Sequence, residues 1–181
     1  ADGTQQLVWR RELGENVGDI ALADLDADGQ GEIVALSSLP GRTSVALSVL
    51  NPDGSLKWET VRSDPCVAGS LPHVDFELGD LDRDGVTDIA YFMTPFARVF
   101  SGVDGHPLLT VSIGSAAASC ELNATLTILD IEGDGVNELA GSAGGAAFVL
   151  NHDGSLRWSY SGTQGLFSFS VVDLDLDGSP E

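Results

Sequence analysis

Apolar and polar residues alternate along short segments of this chain, and the alternation returns in units of about 50 residues. Alternation with period two predicts β-strands, because successive side chains of a strand point to opposite faces. Each unit contains four strand-like segments, of which the second and third are short apolar runs, and none of them has the spacing of an amphipathic helix. The pattern therefore predicts an all-β fold made of repeated four-stranded antiparallel sheets.

An Asp-Gly pair, which is a strong hairpin signal, precedes the fourth segment of each unit at Asp53, Asp104 and Asp153. Four short strands in a unit of this length predict the blade of a β-propeller. Because propellers close with four to eight blades, we expect the chain to be a fragment of a larger propeller. The predicted division is an outer strand of a preceding blade at 1–11, complete blades at 12–61, 62–111 and 112–160, and the start of a following blade at 161–181.

Four copies of one acidic loop follow the first segment of successive units. Each copy has carboxylates at positions 1, 3 and 5, glycine at position 6 and a further acid at position 9. The acids and the backbone carbonyl of position 7 can converge on one centre, since glycine at position 6 permits a sharp reversal. The predicted metal ligands are Asp24, Asp26, Asp28, Gln30 and Glu32; Asp80, Asp82, Asp84, Val86 and Asp88; Asp130, Glu132, Asp134, Val136 and Glu138; and Asp173, Asp175, Asp177, Ser179 and Glu181.

Clustered carboxylates repel one another, by about 4 kcal/mol for a pair 4 Å apart at an effective dielectric near 20. A cation among them removes that repulsion, and Ca²⁺ prefers six to eight oxygen ligands. We therefore expect about one Ca²⁺ per loop, with three complete sites and a fourth that ends at Glu181. An EF-hand is excluded, because position 12 of the first three loops is Ala35, Tyr91 and Gly141 and because strands flank each loop.

The chain has 181 residues and a net charge of −20, and the four loops hold 16 of its 28 acidic residues. Only eight lysines and arginines are present, and they are scattered, so nucleic acid is not an expected partner. No apolar run approaches the ~18 residues of a membrane span. The composition indicates a folded, turn-rich domain. Because calcium loops of this type bind at the concentrations found outside cells or in secretory compartments, we expect an extracellular, cell-surface or periplasmic protein of the secreted pathway.

The repeated loops resemble the integrin-alpha-type repeat family, also called FG-GAP or VCBS-like repeats. The resemblance covers nearly the whole chain and implies propeller blades whose calcium loops lie between the first and second strands. It departs at Glu132, which is longer than the usual acid at position 3, and in lacking the Phe-Gly and Gly-Ala-Pro landmarks of integrins. Integrin partners are therefore not implied. The outer hairpins resemble those of bacterial members of the family.

The resemblance implies a binding module in which calcium is structural and the partner is a protein or a glycan, since the family includes adhesion receptors and a fungal lectin. No catalytic residues are recognisable, and the chain is not expected to be an enzyme. Two alternatives stay open: the propeller scaffold of a secreted carbohydrate-active enzyme such as a polysaccharide lyase, and a purely architectural repeat of a large surface protein. A fragment of this kind could also associate with itself or with missing blades.

Other side chains have structural interpretations. Cys66 and Cys120 precede successive loops and could form a disulfide or remain two thiols. Lys57 and Arg157 alternate with apolar residues on the fourth strands, where we expect them to charge an exposed sheet edge. The three tryptophans are expected to pack between blades, and the three histidines are expected to lie on the surface; they are Trp9, Trp58, Trp158, His73, His106 and His152.

Overall fold

The computed structural model describes residues 8–41, 44–63, 73–74, 76–93, 96–113, 123–143 and 146–161. These residues form thirteen β-strands, and none of the described ranges contains a helix. The strands are β1 (Asn16–Ala23), β2 (Glu32–Ser38), β3 (Ser44–Leu50), β4 (Leu56–Ser63), β5 (His73–Val74), β6 (Phe76–Gly79), β7 (Asp88–Met93), β8 (Phe96–Ser101), β9 (Pro107–Ser112), β10 (Asn123–Leu129), β11 (Glu138–Ala143), β12 (Ala146–Leu150) and β13 (Leu156–Ser161).

The strands form three sheets, each with four consecutive antiparallel strands: β1 to β4, β6 to β9 and β10 to β13. The predicted all-β class and the four-stranded antiparallel units are therefore confirmed. The short strand β5 is an addition that the periodicity did not predict. It pairs in parallel with β10, so the third sheet has a fifth strand at its edge. Residues 8–14 are not in a strand.

Burial explains which segments alternate in sequence and which do not. The central strands β2 and β3 are buried along almost their whole length, whereas β1 and β4 alternate between more and less exposed residues. A strand covered on both faces reads as a continuous apolar run, and an outer strand keeps its polar residues on one face. The second and third segments of each unit were continuous runs for this reason.

Two hydrophobic cores join the three sheets face to face. The first core packs Leu36 and Leu47 of the first sheet against Tyr91 and Phe100 of the second. The second core packs Phe92 of the second sheet against Phe148 of the third, with ring centroids 5.9 Å apart. Because each sheet is buried on the faces that meet its neighbours, the three units stack in chain order.

The outer strand of one unit also contacts the outer turn of the next. The Trp58 side chain is 9% exposed, and its indole N–H donates a 2.8 Å hydrogen bond to the carbonyl of Gly102. Trp9 makes the same kind of contact one unit earlier, donating to the carbonyl of Pro52 at 3.1 Å. The predicted packing of a tryptophan between units is confirmed at Trp58, while Trp9, which precedes β1, packs on the outer turn of the first sheet. Trp158, at the equivalent place in the third unit, is 49% exposed.

Apolar side chains are exposed at both ends of the stack. On β1, Ala21 and Ala23 pack on the first core, while the alternate residues Ile20 and Leu22 are 57% and 73% exposed. At the other end, Leu156, Trp158 and Tyr160 of β13 are each about half exposed. No helix of the described residues is long and apolar enough to cross a lipid bilayer.

Candidate metal centres

Three of the four acidic loops fall within the described residues, and each connects the first two strands of a four-stranded unit. We name them loop 1 (24–32), loop 2 (80–88) and loop 3 (130–138). In each loop the position-9 acid is the first residue of the second strand and pairs with the last residue of the first strand. These acids are Glu32, Asp88 and Glu138. The strand register thus fixes both ends of every loop.

The position-9 acids are buried, with exposed fractions of 2%, 0% and 3%, although carboxylates prefer water. Each accepts a 2.9 Å hydrogen bond from the backbone amide of position 2 in its own loop. The position-2 side chains Leu25 and Leu81 are themselves buried in the cores beside the loops. An apolar anchor at position 2 therefore holds one end of the loop while its amide orients the buried acid.

The position-1 carboxylates organise the reversal of the chain. The amide of the position-6 glycine donates to Asp24, Asp80 or Asp130 at 2.9, 3.0 and 2.7 Å. Position 4 has a left-handed backbone in all three loops, with φ of 58° at Ala27, 67° at Arg83 and 69° at Gly133. The sequence analysis predicted one reversal, at the glycine of position 6. Among the three residues at position 4, only Gly133 of loop 3 is of a type that indicates the second reversal.

The loops contact one another along one edge of the stack. The amide of Thr87 in loop 2 donates to the carbonyl of Leu25 in loop 1 at 3.3 Å. The side-chain amide of Asn137 in loop 3 donates to the carbonyl of Asp80 in loop 2 at 2.8 Å. Position 8 of one loop therefore reaches back to the loop before it. These two hydrogen bonds hold the three loops side by side.

Carboxylates of positions 1, 3 and 9 converge in loops 1 and 2. In each group one oxygen from every acid lies within 4.8 Å of the others. The groups are Asp24, Asp26 and Glu32, and Asp80, Asp82 and Asp88. Both clusters could hold a metal ion, as the sequence predicted from these positions. In loop 3, among the described residues, no such group of three forms.

The remaining predicted ligands have other contacts or lie elsewhere. The position-5 acids Asp28, Asp84 and Asp134 accept hydrogen bonds of 2.7, 2.9 and 2.8 Å from the position-7 amides. The proposed use of the position-7 carbonyls remains a prediction. The fourth loop and the two cysteines lie outside the described residues; they are Asp173, Asp175, Asp177, Ser179, Glu181, Cys66 and Cys120.

Asp88 is the least satisfied acid of the described loops. Its Oδ2 accepts the amide of Leu81, but its Oδ1 is buried and has no hydrogen-bond partner. Burial raises the pKa of Asp88 to about 6, and the negative charges of Asp82 and Asp84 add to this effect. A buried carboxylate oxygen without a partner is costly, and a cation bound between Asp80, Asp82 and Asp88 would supply one.

Loop 1 has a cation of its own. The Lys57 Nζ lies 2.6 Å from Asp26 Oδ2 and 3.1 Å from Glu32 Oε1, and the lysine side chain is 17% exposed. Burial opposes the charge of Lys57, yet the hydrogen bonds to Asp26 and Glu32 raise its pKa above the ordinary value. The prediction that Lys57 charges an exposed edge was wrong, because the β3–β4 hairpin directs this side chain into the loop.

Loop 3 also contains an ion pair, between Arg157 and Glu132. The hydrogen bond from Arg157 lowers the pKa of Glu132 below its ordinary value. Arg157 was predicted to charge an exposed sheet edge; it lies on the edge strand β13 and is exposed, and it also pairs with Glu132. The long Glu132 side chain, which departs from the usual acid at position 3, turns to a guanidinium rather than to the other loop acids. The residue that departs from the pattern is therefore the one that forms the ion pair of loop 3.

A cleft of about 390 Å³ lies beside loop 1 and reaches the outer turn of the first sheet. Its wall includes the loop acids Asp26 and Glu32, the turn residue Asp53 and the ammonium-bearing Lys57. The cleft is polar and strongly acidic, and Lys57 is its one basic lining residue in the described part of the chain. The cleft opens loop 1 to solvent ions.

Comparison with known proteins shows that the fold of this chain is similar to part of a solved lectin structure. No family model and no curated protein matches the sequence. An Agrocybe aegerita lectin, whose structure describes specific recognition of non-reducing terminal N-acetylglucosamine, aligns over 90% of this chain at 20% identity and a TM-score of 0.52. The V. cholerae biofilm matrix protein Bap1 aligns over 79% at 19% identity, but its TM-score of 0.34 is too low to define a shared fold. This chain spans 45% of the lectin and 28% of Bap1.

Proposed function

We propose that this chain is a calcium-stabilised module of an FG-GAP-type β-propeller that binds a glycan or a protein outside the cell. The observation that carries the metal site is the unpartnered, buried Oδ1 of Asp88, in a cluster with Asp80 and Asp82. All donors in the cluster are oxygens, which favours a hard cation. Calcium fits best, since it accepts flexible sets of carboxylates at the millimolar concentrations found outside cells.

The role proposed for calcium is structural. Asp80 directly follows β6, and Asp88 is the first residue of β7. A cation held by both residues, together with Asp82, would tie the two strands together where their hydrogen-bonded ladder ends. Its charge would also remove the repulsion among the clustered carboxylates. The side chains hold the ion in place, and the ion raises the free energy of unfolding because it binds only the folded protein.

The exposed apolar faces support a propeller. Ile20 and Leu22 at one end, and Trp158 and Tyr160 at the other, occupy faces whose counterparts between the sheets are buried. Trp58 is buried on the outer turn of the following unit, and Trp158 occupies the equivalent register position. Further blades packed on both faces would complete the pattern.

Thermal unfolding with 5 mM CaCl₂, with 5 mM MgCl₂ and with EGTA tests the metal role. Calcium at one hundred times its dissociation constant would raise the free energy of unfolding by about 2.7 kcal/mol. We expect a higher melting temperature in calcium than in EGTA and a smaller effect of magnesium, which demands a stricter octahedral geometry. Equal melting temperatures in calcium and EGTA would remove calcium from the proposed function.

A glycan is the first ligand class to test. The supporting observation is the fold likeness to the lectin, together with an acidic, amide-lined cleft next to the carboxylates of loop 1. Glycan arrays and calorimetry with N-acetylglucosamine-terminated oligosaccharides, in calcium and in EGTA, measure this directly. Binding to glycans supports the proposal, whereas depolymerisation of an acidic polysaccharide would favour the lyase-like alternative. Binding to neither class would favour an architectural repeat.

A further inference from the structure

The three sheets have different residues at one position of their fourth strands. Trp58, Leu109 and Trp158 pair with Val49, Val99 and Val149, so they are equivalent positions. The residues that precede them along the chain are equivalent for the same reason. Those residues are Lys57 in the first sheet, Leu108 in the second and Arg157 in the third.

Lys57 uses the oxygens that a bound metal would need. Asp26 and Glu32 belong to the convergent cluster of loop 1, and the lysine ammonium contacts both of them. Because Glu32 also accepts the amide of Leu25 at 2.9 Å, this buried acid has partners on both oxygens. Loop 1 is therefore neutralised in part by the chain itself.

Loop 2 lacks such a partner. Leu108 is apolar and packs against the second core. The consequence is visible at Asp88, whose buried Oδ1 is unpartnered although the same position in loop 1 is paired. Loop 2 thus combines a convergent acid cluster with an unsatisfied buried oxygen that a bound cation would satisfy.

Loop 3 is a third case. Arg157 contacts Glu132, and this pair lies at the exposed side of the loop, with 31% and 46% of the two side chains accessible. The guanidinium holds the position-3 acid, while the position-9 acid Glu138 keeps its bond to the amide of Ile131.

We propose that loops 1 and 2 are different cation sites, and that the residue preceding the Trp58 position, Lys57 in the first sheet and Leu108 in the second, decides how each one is filled. Loop 2 is the high-affinity divalent-cation site. In loop 1 the Lys57 ammonium is the resident cation, and a divalent ion binds only by displacing it, by way of the acidic cleft. This proposal rests on the proposed function in that it takes calcium as the external ion.

A calcium titration followed by ¹⁵N–¹H NMR reads each loop separately. The amides of Gly29, Gly85 and Gly135 each hydrogen bond to the position-1 carboxylate of their own loop, so each reports its own site. In the unmodified protein we expect the Gly85 signal to shift at a calcium concentration at least about tenfold lower than the Gly29 signal. Tenfold corresponds to about 1.4 kcal/mol, close to the lower limit for a hydrogen bond to a charged group.

Reciprocal substitutions test the cause. Lys57→Leu copies the second sheet and is expected to lower the calcium midpoint of Gly29 about tenfold without moving that of Gly85. Leu108→Lys copies the first sheet and is expected to raise the midpoint of Gly85. Lys57→Arg keeps the charge and should keep the weak binding of loop 1. Leu108→Gln removes the apolar side chain without adding charge, which separates lost packing from competition.

The free energy of unfolding in EGTA gives an independent readout, because the two substitutions are expected to change it in opposite directions. In EGTA, Lys57→Leu should destabilise the protein because Asp26 and Glu32 lose their counter-ion, whereas Leu108→Lys should stabilise it relative to Leu108→Gln. Equal calcium midpoints at Gly29 and Gly85, or an unchanged Gly29 midpoint in Lys57→Leu, would overturn the inference and leave the proposed function standing. The absence of any calcium-dependent shift at all three glycines would overturn both.

Discussion

The backbone amide of Leu81 donates a 2.9 Å hydrogen bond to Oδ2 of Asp88, and the other oxygen of this fully buried carboxylate has no partner. Glu32, at the same position of loop 1, accepts the corresponding amide and also contacts the ammonium of Lys57. Two acids with the same place in the fold therefore have different electrostatic surroundings. This contrast gives opposite expectations for the same kind of substitution.

Asp88→Asn is expected to stabilise the protein in EGTA and to weaken its response to calcium. The amide oxygen can keep the bond from Leu81, and the amide nitrogen can donate to the neighbouring carboxylates, so an unpartnered buried oxygen is replaced by a donor. The gain is about 1–3 kcal/mol, the usual cost of an unsatisfied buried polar group. Urea unfolding of both proteins, in EGTA and in calcium, measures it.

Glu32→Gln is the matched control. Here the substitution removes a paired carboxylate and leaves Lys57 with Asp26 alone, so we expect a loss of about 1–3 kcal/mol in EGTA. Changes of the same sign in both variants would contradict the assignment of distinct surroundings to the two loops.

Trp58→Ala is expected to lower the free energy of unfolding by about 3–5 kcal/mol, because a buried indole is removed from between two sheets. Trp58→Phe keeps most of the packing but loses the bond to the Gly102 carbonyl, at a cost of about 1 kcal/mol. Trp158→Ala, at the equivalent and half-exposed position, should cost far less. Chemical denaturation of the three variants checks this order, and an equal loss at Trp58 and Trp158 would refute it.

Alanine substitution is expected to have different effects on stability at two glycines that have similar backbone conformations. Gly85 and Gly105 have φ of 85° and 73°. A Cβ at Gly85 meets nothing within 4 Å, whereas one at Gly105 would lie 2.5 Å from the Trp58 ring. Gly85→Ala should therefore cost about 1–2 kcal/mol from backbone strain alone. Gly105→Ala should cost about 1–3 kcal/mol more through overpacking. Melting temperatures of both variants, measured in EGTA, give the comparison.

His106 is expected to report calcium in loop 2. Its hydrogen bond to Asp104 raises the pKa of His106, and the negative charges of Asp82 and Asp88 raise it further. The resulting stabilisation is present below the ordinary value of 6.5 and is lost as the pH rises through the raised pKa of the folded protein. Calcium bound to Asp82 and Asp88 would cancel their charges and lower the pKa of His106.

NMR titration of the His106 ring with and without calcium measures this shift. Asp104→Asn removes the largest cause and should lower the pKa of His106 in both conditions. A pKa of His106 that does not change with calcium would contradict this prediction.

Much of the fold could be predicted from the sequence because its signals are local. Strand periodicity, Asp-Gly turns and the spacing of acids each depend on a few neighbouring residues, and they located the four strands of each sheet and the three described loops. The convergence of positions 1, 3 and 9 in loops 1 and 2 was also predictable, since it follows from the turn itself.

Only the tertiary structure decided which of the loop acids have a cationic side chain beside them. Lys57 meets Asp26 across 31 residues of sequence, because the β3–β4 hairpin returns the fourth strand to the loop. The same register places apolar Leu108 beside loop 2 and leaves the Oδ1 of Asp88 unpartnered. Local sequence determined where negative charge accumulates, whereas strand pairing between distant segments determined where that charge is neutralised.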